Sequence, residues 1–184
     1  MYLTQDGNYR YETTTDMTYL SKGQSETERF EIVVKDQGGL SATKIITTTI
    51  NGKNEAPTLS IQDAEANEVT ASQQIAAATD TVGQQIRLTV IGDDVDLNDT
   101  LSYALKRGSG AYTGSASTGL YGTLTLVNGE LVYTLTESAK ALGGGVTAED
   151  SFTVKVSDGK GGIVEKTVTF EVTGANDTPT IVVN

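Results

Sequence analysis

The sequence predicts an all-β fold, in which antiparallel β-sandwiches are repeated in tandem along the chain. Apolar and polar residues alternate in many short runs, such as 30–34 and 152–156, and a period of two is typical of strands with one buried face. The pairs Asp6-Gly7 and Asn128-Gly129 separate such runs and predict hairpin turns, because these residues accept a positive φ angle. Short strands with regular turn signals between them favour a sandwich.

The chain also repeats itself, without a gap, at a spacing of 122 residues. Phe30 recurs as Phe152, and Tyr11 recurs as Tyr133. The same spacing relates Gly7 to Gly129, Leu20 to Leu142, Gly23 to Gly145, Glu28 to Asp150, Asp36 to Asp158, Gly39 to Gly161, Gly52 to Gly174, Asn54 to Asn176, and Pro57 to Pro179. We therefore expect a piece of a longer array, with the C-terminal part of a first repeat at 1–54, a complete repeat at 55–176, and the start of a third at 177–184.

Two segments depart from the strand pattern. Residues 136–145, with the sequence TESAKALGGG, hold helix formers between a candidate N-cap and a stop at Gly143, which predicts one short helical turn near 137–142. Residues 106–119 are rich in glycine and serine and predict a long, mobile loop.

The composition argues against several classes of function. Asp and Glu total 24 and Lys and Arg total 13, so the formal net charge is −11, and such a surface repels nucleic-acid phosphates while it attracts cations. The chain has no cysteine and no histidine, which removes disulfides, thiolate metal sites and the commonest general base. No apolar run reaches the roughly 18 residues of a membrane span, and residues 1–20 lack the apolar core of a signal peptide, so we expect no membrane insertion.

The negative charge is concentrated in one loop. Asp93, Asp94, Asp96 and Asp99 fall within seven residues, and carboxylates that close repel one another by roughly 1 kcal/mol per pair even in water. In an extended loop Asp94 and Asp96 point the same way, so the pair offers two ligands to a calcium ion, which takes about six to eight oxygens. The simpler interpretation is that these acids are only solvated, and their spacing is not that of an EF-hand.

Several motifs, taken in order, resemble those of the VCBS repeat, a cadherin-like β-sandwich found in tandem in large bacterial adhesins of the RTX type. The resemblance covers nearly the whole chain and implies an antiparallel Greek-key sandwich of the cadherin or immunoglobulin kind. The motifs are DVDLNDTLSYAL at 94–105, YGTLTLVNGELVYTL at 121–135, TESAKALGGGVTAEDSF at 136–152, SDGKGG at 157–162 and GANDTPT at 174–180, with YLSKGQSETERF at 19–30 and GKNEAPT at 52–58 in the first repeat.

The same resemblance implies calcium at the junctions between successive repeats, with ligands from the base of one repeat, the linker and the top of the next. For the first junction these would be Glu28 in a base loop, Asn54 and Glu55 in the linker, and Asp94, Asp96 and Asp158 at the top of the complete repeat. A second junction would use Glu65 or Glu68, Glu149 or Asp150, and Asn176 with Asp177. In the simpler interpretation, Asp158, Asn54 and Asn176 only shape turns and bends.

These inferences predict a structural spacer of a bacterial surface protein that lies outside the cell, is rigidified by Ca²⁺ and contacts neighbouring repeats of the same chain. The alternative is an adhesion module that binds a surface glycan or protein through the strands beside Asn128 or through the 106–119 loop, with Tyr112 and Tyr121. We expect neither an enzyme nor a nucleic-acid binder. No motif places two carboxylates across a cleft, and triads that depend on histidine are impossible.

Overall fold

The fold is all-β, as predicted. The computed structural model describes residues 2–4, 6–77, 83–176 and 181, and these form thirteen strands and one 3₁₀ turn. The turn spans Glu137–Ala141, inside the segment where the sequence predicts a short helical turn. Acidic Glu137 lies in its first turn and basic Lys140 in its last, which suits the dipole of the backbone.

The chain divides into two compact units. The first comprises Met1–Glu55 together with Val95–Asp99. Its strands pair as two antiparallel hairpins, β1 with β2 and β3 with β4. Their bounds are β1 Tyr2–Leu3, β2 Tyr9–Arg10, β3 Ser25–Lys35 and β4 Ser41–Asn51.

The second unit comprises Ala56–Asp94 together with Thr100–Asn184 and contains two sheets. Its strands are β5 Thr58–Gln62, β6 Gln73–Ala77, β7 Gln85–Asp93, β8 Ser102–Arg107, β9 Ala116–Thr118, β10 Gly122–Val127, β11 Glu130–Leu135, β12 Thr147–Ser157 and β13 Ile163–Gly174. One sheet has the order β5-β7-β11-β10-β9 and the other the order β6-β13-β12-β8. Neighbouring strands are antiparallel except β6 and β13, which run parallel.

The core of the second unit lies between these two sheets. Alternate residues of each central strand point inward, and Leu124, Tyr133, Phe152 and Phe170 are all 0% exposed. The ring of Tyr133 from one sheet stacks on Phe170 from the other, with centroids 4.1 Å apart and planes 6° from parallel. Burying a side chain of this size contributes about 1.5–3 kcal/mol, so these alternating positions hold the sheets together.

The backbone repeats at the same spacing as the sequence. In the first unit Ser25 pairs with Asn51, and in the second Thr147 pairs with Thr173, 122 positions later in both strands. The register continues in step to the ends of both hairpins.

A close backbone contact repeats as well. A Cβ on Gly52 would lie 2.3 Å from the carbonyl oxygens of Leu20 and Ser21, and one on Gly174 would lie 2.5 Å from that of Leu142. Only glycine fits either position, which explains why both repeats carry it there.

Candidate metal centre

Three carboxylates come together in the structure. Asp94, Asp99 and Asp158 each offer one oxygen, and these three atoms lie within 4.8 Å of one another. Asp158 is buried and the other two are half-buried. In the part of the chain that the structure describes, this is the one such group of three acidic side chains.

A tight loop brings Asp94 and Asp99 close to each other. Strand β7 ends at Asp93, and the Asp99 amide then donates to the carbonyl oxygen of Asp96 at 3.3 Å. Between them Asn98 has a φ of 67°, a left-handed conformation that asparagine tolerates better than most residues. The chain turns back on itself there, so two acids five positions apart meet on one side of the loop.

Asp158 is positioned by its own turn. Its Oδ1 accepts hydrogen bonds from the amides of Lys160 at 2.7 Å, Gly161 at 3.0 Å and Gly162 at 3.0 Å. The turn-forming role therefore has direct support. A ligand role remains compatible with it, because an ionised carboxylate has two oxygens and about four lone-pair sites.

Asp96 is not one of the three. It is 4% exposed, and its Oδ2 accepts a hydrogen bond from the backbone amide of Glu55 at 3.0 Å. In the linker, the Asn54 side chain donates to the Glu55 carbonyl at 2.7 Å. These contacts tie the linker to the acidic loop within the first unit, through the backbone of Glu55.

Glu28 lies in a strand and not in the base loop that the sequence suggested. It lies inside β3, opposite Thr48 of β4. The strand that contains the apolar run 30–34 already begins at Ser25, so it includes Glu28. Burial raises the pKa of the neighbouring Tyr11, and the Glu28 charge adds to that rise.

The residues of the second predicted junction do not form a group of carboxylates among the described residues. Glu68 contacts Lys166 and Ser60, and the hydrogen bond from Lys166 holds the pKa of Glu68 below its ordinary value. The amide of Glu65 donates to Asp63 in an exposed turn, and Glu149 is exposed on β12. Asn176 is exposed beside Gly144, and Asp177 lies outside the described residues. This second site stays a prediction.

Asp150 has a structural role that the sequence analysis missed. It is 0% exposed, and its carboxylate accepts bonds from the amides of Leu120 at 2.6 Å, Tyr121 at 2.8 Å and Gly122 at 3.0 Å. The Tyr133 hydroxyl donates to the same carboxylate at 2.8 Å. The alternation of the strand could have predicted this burial, because Asp150 lies two positions before buried Phe152 and therefore points into the core.

Asp99 is the other residue that the predicted ligand set lacked. It belongs to the acidic loop, but the prediction of Asp94 and Asp96 as ligands assumes an extended loop, in which those two side chains point the same way. The loop is not extended but closed by the Asp96–Asp99 backbone bond. Asn98, a residue that favours left-handed backbone, was the available signal for that turn.

The donor set fits a hard cation such as calcium. Ca²⁺ binds oxygens at about 2.3–2.6 Å, so two ligands of one ion lie at most roughly 5 Å apart, and the three aspartate oxygens meet that limit. Without a cation, each pair of charges at this separation repels by about 1 kcal/mol in water and by more where water is partly excluded. A divalent ion would replace this repulsion with attraction.

The tyrosines of the alternative adhesion site already have partners within the protein. The ammonium groups of Lys106 and Lys155 lie 4.5 and 4.1 Å from the ring centroid of Tyr112. Tyr121 packs partly buried against the core. The 106–119 segment also includes strand β9, and the Thr113 amide donates to Leu105 at 2.8 Å, so much of this predicted loop is hydrogen-bonded.

Comparisons with known proteins place these observations in a family. No curated protein is similar enough in sequence to count as a relative. A solved structure described as the protocadherin gammaB7 EC3-6 cis-dimer is similar at 14% identity, with a TM-score of 0.41 over 83% of this chain and 32% of that one. The matched region therefore spans about a third of the length of that solved structure. None of the helices in the described part of the chain has the length and apolar character of a membrane crossing.

The family model for the bacterial cadherin-like domain matches residues 54–174. The match takes in both sheets of the second unit together with Asp94, Asp99 and Asp158. The chain belongs to the bacterial cadherin-like domain family, whose members are structural and adhesion modules.

Proposed function

We propose that this chain is a calcium-rigidified structural repeat that acts as a spacer in a bacterial cell-surface adhesin. In this proposal, residues 1–54 are the C-terminal part of one repeat, residues 55–176 are a complete repeat, and residues 177–184 begin a third. Its partners are neighbouring repeats of the same chain, and it works outside the cell.

The grouping of Asp94, Asp99 and Asp158 carries the proposal. Three carboxylate oxygens this close together can bind one cation, and the excess of 24 acids over 13 bases makes the chain attractive to cations. Calcium prefers carboxylates, carbonyls and water, all of which such a loop provides. Asp96, Asn54, Glu55 and Glu28 remain proposed contributors, either as ligands or through the backbone that holds the loop.

The proposed mechanism is mechanical. With no cation bound, repulsion among the acids favours open conformations of the loop, and the connection between repeats flexes. When calcium binds, it stabilises the closed loop by RT ln(1 + [L]/Kd), since the unfolded chain does not assemble the same oxygens. Extracellular modules bind calcium at about 10⁻⁴–10⁻³ M, so the site would be filled outside the cell and empty in the cytosol.

Thermal melting with and without calcium tests this proposal. With a Kd of about 1 mM, 10 mM calcium should add about 1.4 kcal/mol, which raises Tm by about 5 °C over the value in EDTA. Magnesium at the same concentration should give a smaller rise, because it demands near-octahedral geometry and retains its water. Small-angle scattering should show a narrower distribution of distances in calcium.

A pair of neighbouring variants provides the control. Asp99→Asn removes one of the three clustered charges and should abolish most of the calcium-dependent rise. Asp93→Asn removes an exposed charge at the end of β7, next to Asp94 but outside the cluster, and should keep the rise. If calcium does not change Tm, or if the two variants lose the rise equally, the proposal fails.

A further inference from the structure

The hairpin of β3 and β4 presents an apolar face that is open in the first unit. Phe30 and Ile32 are only half-buried on this face, and Val34, next in the alternation, is 65% exposed. Ile46 and Ile50 of β4 lie on the same face and are also half-buried. Isolated hairpins of this kind are marginally stable in water, so a face with this many apolar side chains needs a cover.

The counterparts in the second unit are fully covered. Phe152, Val154 and Val156 occupy the positions 122 residues after Phe30, Ile32 and Val34, and all three are 0% exposed. That core contains residues of β5, β7, β10 and β11. The same face in the same register is therefore buried in one unit and open in the other.

The short hairpin of the first unit repeats this contrast. Tyr2 is 60% exposed and Tyr9 is 54% exposed, whereas Leu124 and Leu131, at the equivalent positions, are both 0% exposed. We call the apolar side chains of these two hairpins the open face; they are Tyr2, Tyr9, Phe30, Ile32, Val34, Ile46 and Ile50.

Both edges of the long hairpin are open as well. Among the described strands, β3 and β4 pair only with each other. In the second unit β12 also pairs with β8, and β13 also pairs with β6. Unpaired strand edges beside an apolar face call for an occupant that supplies strands, because only strands satisfy both the backbone groups and the side chains.

We propose that the open face is a docking surface for the first-half strands of another repeat, equivalent to residues 56–122 of this chain. The proposal rests on the repeat assignment of residues 1–54. Within the second unit, residues 56–122 include core residues of β5 and β7 that are packed with the counterparts of Phe30, Ile32 and Val34. A strand set of this kind would add the partners of β3 and β4 and cover the open face with the leucine, isoleucine and valine side chains that β5 and β7 contribute to the core.

An in-phase fusion tests the proposal on the full chain. Residues 56–122 are joined directly ahead of residue 1, and amide hydrogen exchange is followed across 25–35 and 41–51 in EDTA. Docking should raise protection in both strands by about 100-fold or more over the chain without the extension. Because calcium is absent, this result is independent of the calcium proposal, and either one can fail while the other stands.

Two adjacent substitutions separate docking from a nonspecific effect. Val34→Asp lies on the open face and should remove the gain in protection in the fused chain, yet change little in the original chain, where Val34 is already exposed. Val33→Asp lies on the opposite face, where the second unit carries Lys155, and should keep the gain.

Three results would overturn the proposal. One is unchanged protection of β3 and β4 in the fused chain. Another is equal loss of protection in the Val33 and Val34 variants. The third is a stable dimer of the original chain in sedimentation with the hairpin already protected, because a second copy would then be the occupant.

Discussion

Replacing Asp150 by asparagine would exchange one carboxylate oxygen for an NH₂ group inside a buried ring of donors. Oδ1 accepts from the Leu120 amide, and Oδ2 accepts from the amides of Tyr121 and Gly122 and from the Tyr133 hydroxyl. The guanidinium Nε of Arg107 lies 3.7 Å from Oδ1, so it also faces this carboxylate. The volume is unchanged by the substitution, so only the hydrogen bonds and the charge are tested.

The magnitude follows from counting donors. An asparagine loses least if its oxygen takes the place of Oδ2 and its NH₂ faces the Leu120 amide, because three of the four bonds then survive with a neutral acceptor. The lost bond to a charged group is worth about 1.5–3 kcal/mol, and the three weakened bonds add to this. We expect a loss of about 3 kcal/mol, or about 10 °C in the Tm of a unit of this size.

Chemical denaturation and thermal melting would measure this loss, with Glu149→Gln as the matched control. Glu149 is the preceding residue of β12 and is exposed, so neutralising it should change stability by less than about 0.5 kcal/mol. If Asp150→Asn melts within about 2 °C of the control, the buried hydrogen bonds do not hold the two sheets together and the counting is wrong.

Two further predictions concern the same region. A Cβ at Gly122 would lie 2.3 Å from the Tyr133 ring, so Gly122→Ala should lower the free energy of unfolding by about 1–3 kcal/mol. Gly143→Ala, with 3.8 Å to its nearest neighbour, should be close to neutral, and equal melting temperatures of the two variants would contradict the steric argument. Burial raises the pKa of Tyr133, so the stability that its protonated phenol provides is complete below a pH of about 10, where the unfolded chain ionises, and is lost as pH rises further. Above pH 10 the free energy of unfolding of the parent should fall by up to about 1.4 kcal/mol more per pH unit than that of Tyr133→Phe, which has no phenol to ionise. Urea titrations at several pH values measure this difference, and an equal dependence on pH in the two proteins would refute it.

The strands with one buried face were predictable because their signal is local. Alternation in 30–34 and 152–156 depends only on neighbouring residues, and the structure places β3 and β12 over both runs. The edge strands β5, with five residues, and β9, with three, were not predicted. Such short segments show little alternation, and their pairing depends on distant parts of the chain.

The hairpin β1–β2 shows a finer limit of the same kind. In the second unit Leu124 pairs with Tyr133, whereas the equivalent Tyr2 pairs with Arg10, one position out of step with the repeat. In the first hairpin the Thr4 amide donates to the carbonyl of Asn8, four positions later in the sequence. In the second hairpin Val127 pairs with Glu130, three positions later, around the Asn128-Gly129 turn. A turn pair identifies a hairpin, but the number of loop residues sets its register.

The candidate site was only partly predictable, because the roles of acids depend on contacts between distant segments. The sequence predicts Asp94 and Asp158 as ligands, and both lie in the cluster together with Asp99, which is outside the predicted set. Asp150 has the same charge and was selected by the same resemblance, yet it lies in the core with its own donors. Composition identifies an acid, whereas only the fold reveals whether it faces amides or other acids.

The equivalence of Glu28 and Asp150 links the core to the open face. In the second unit the backbone amides that donate to this carboxylate belong to Leu120, Tyr121 and Gly122, all within the segment 56–122. Glu28 has beside it Tyr11, the counterpart of Tyr133. On the proposed docking, the incoming strand set would bring its own copies of those three amides to Glu28 as it covers the apolar side chains. A carboxylate that gains such donors is stabilised inside the protein, so on this docking Glu28 would take the place in the first repeat that Asp150 has in the second.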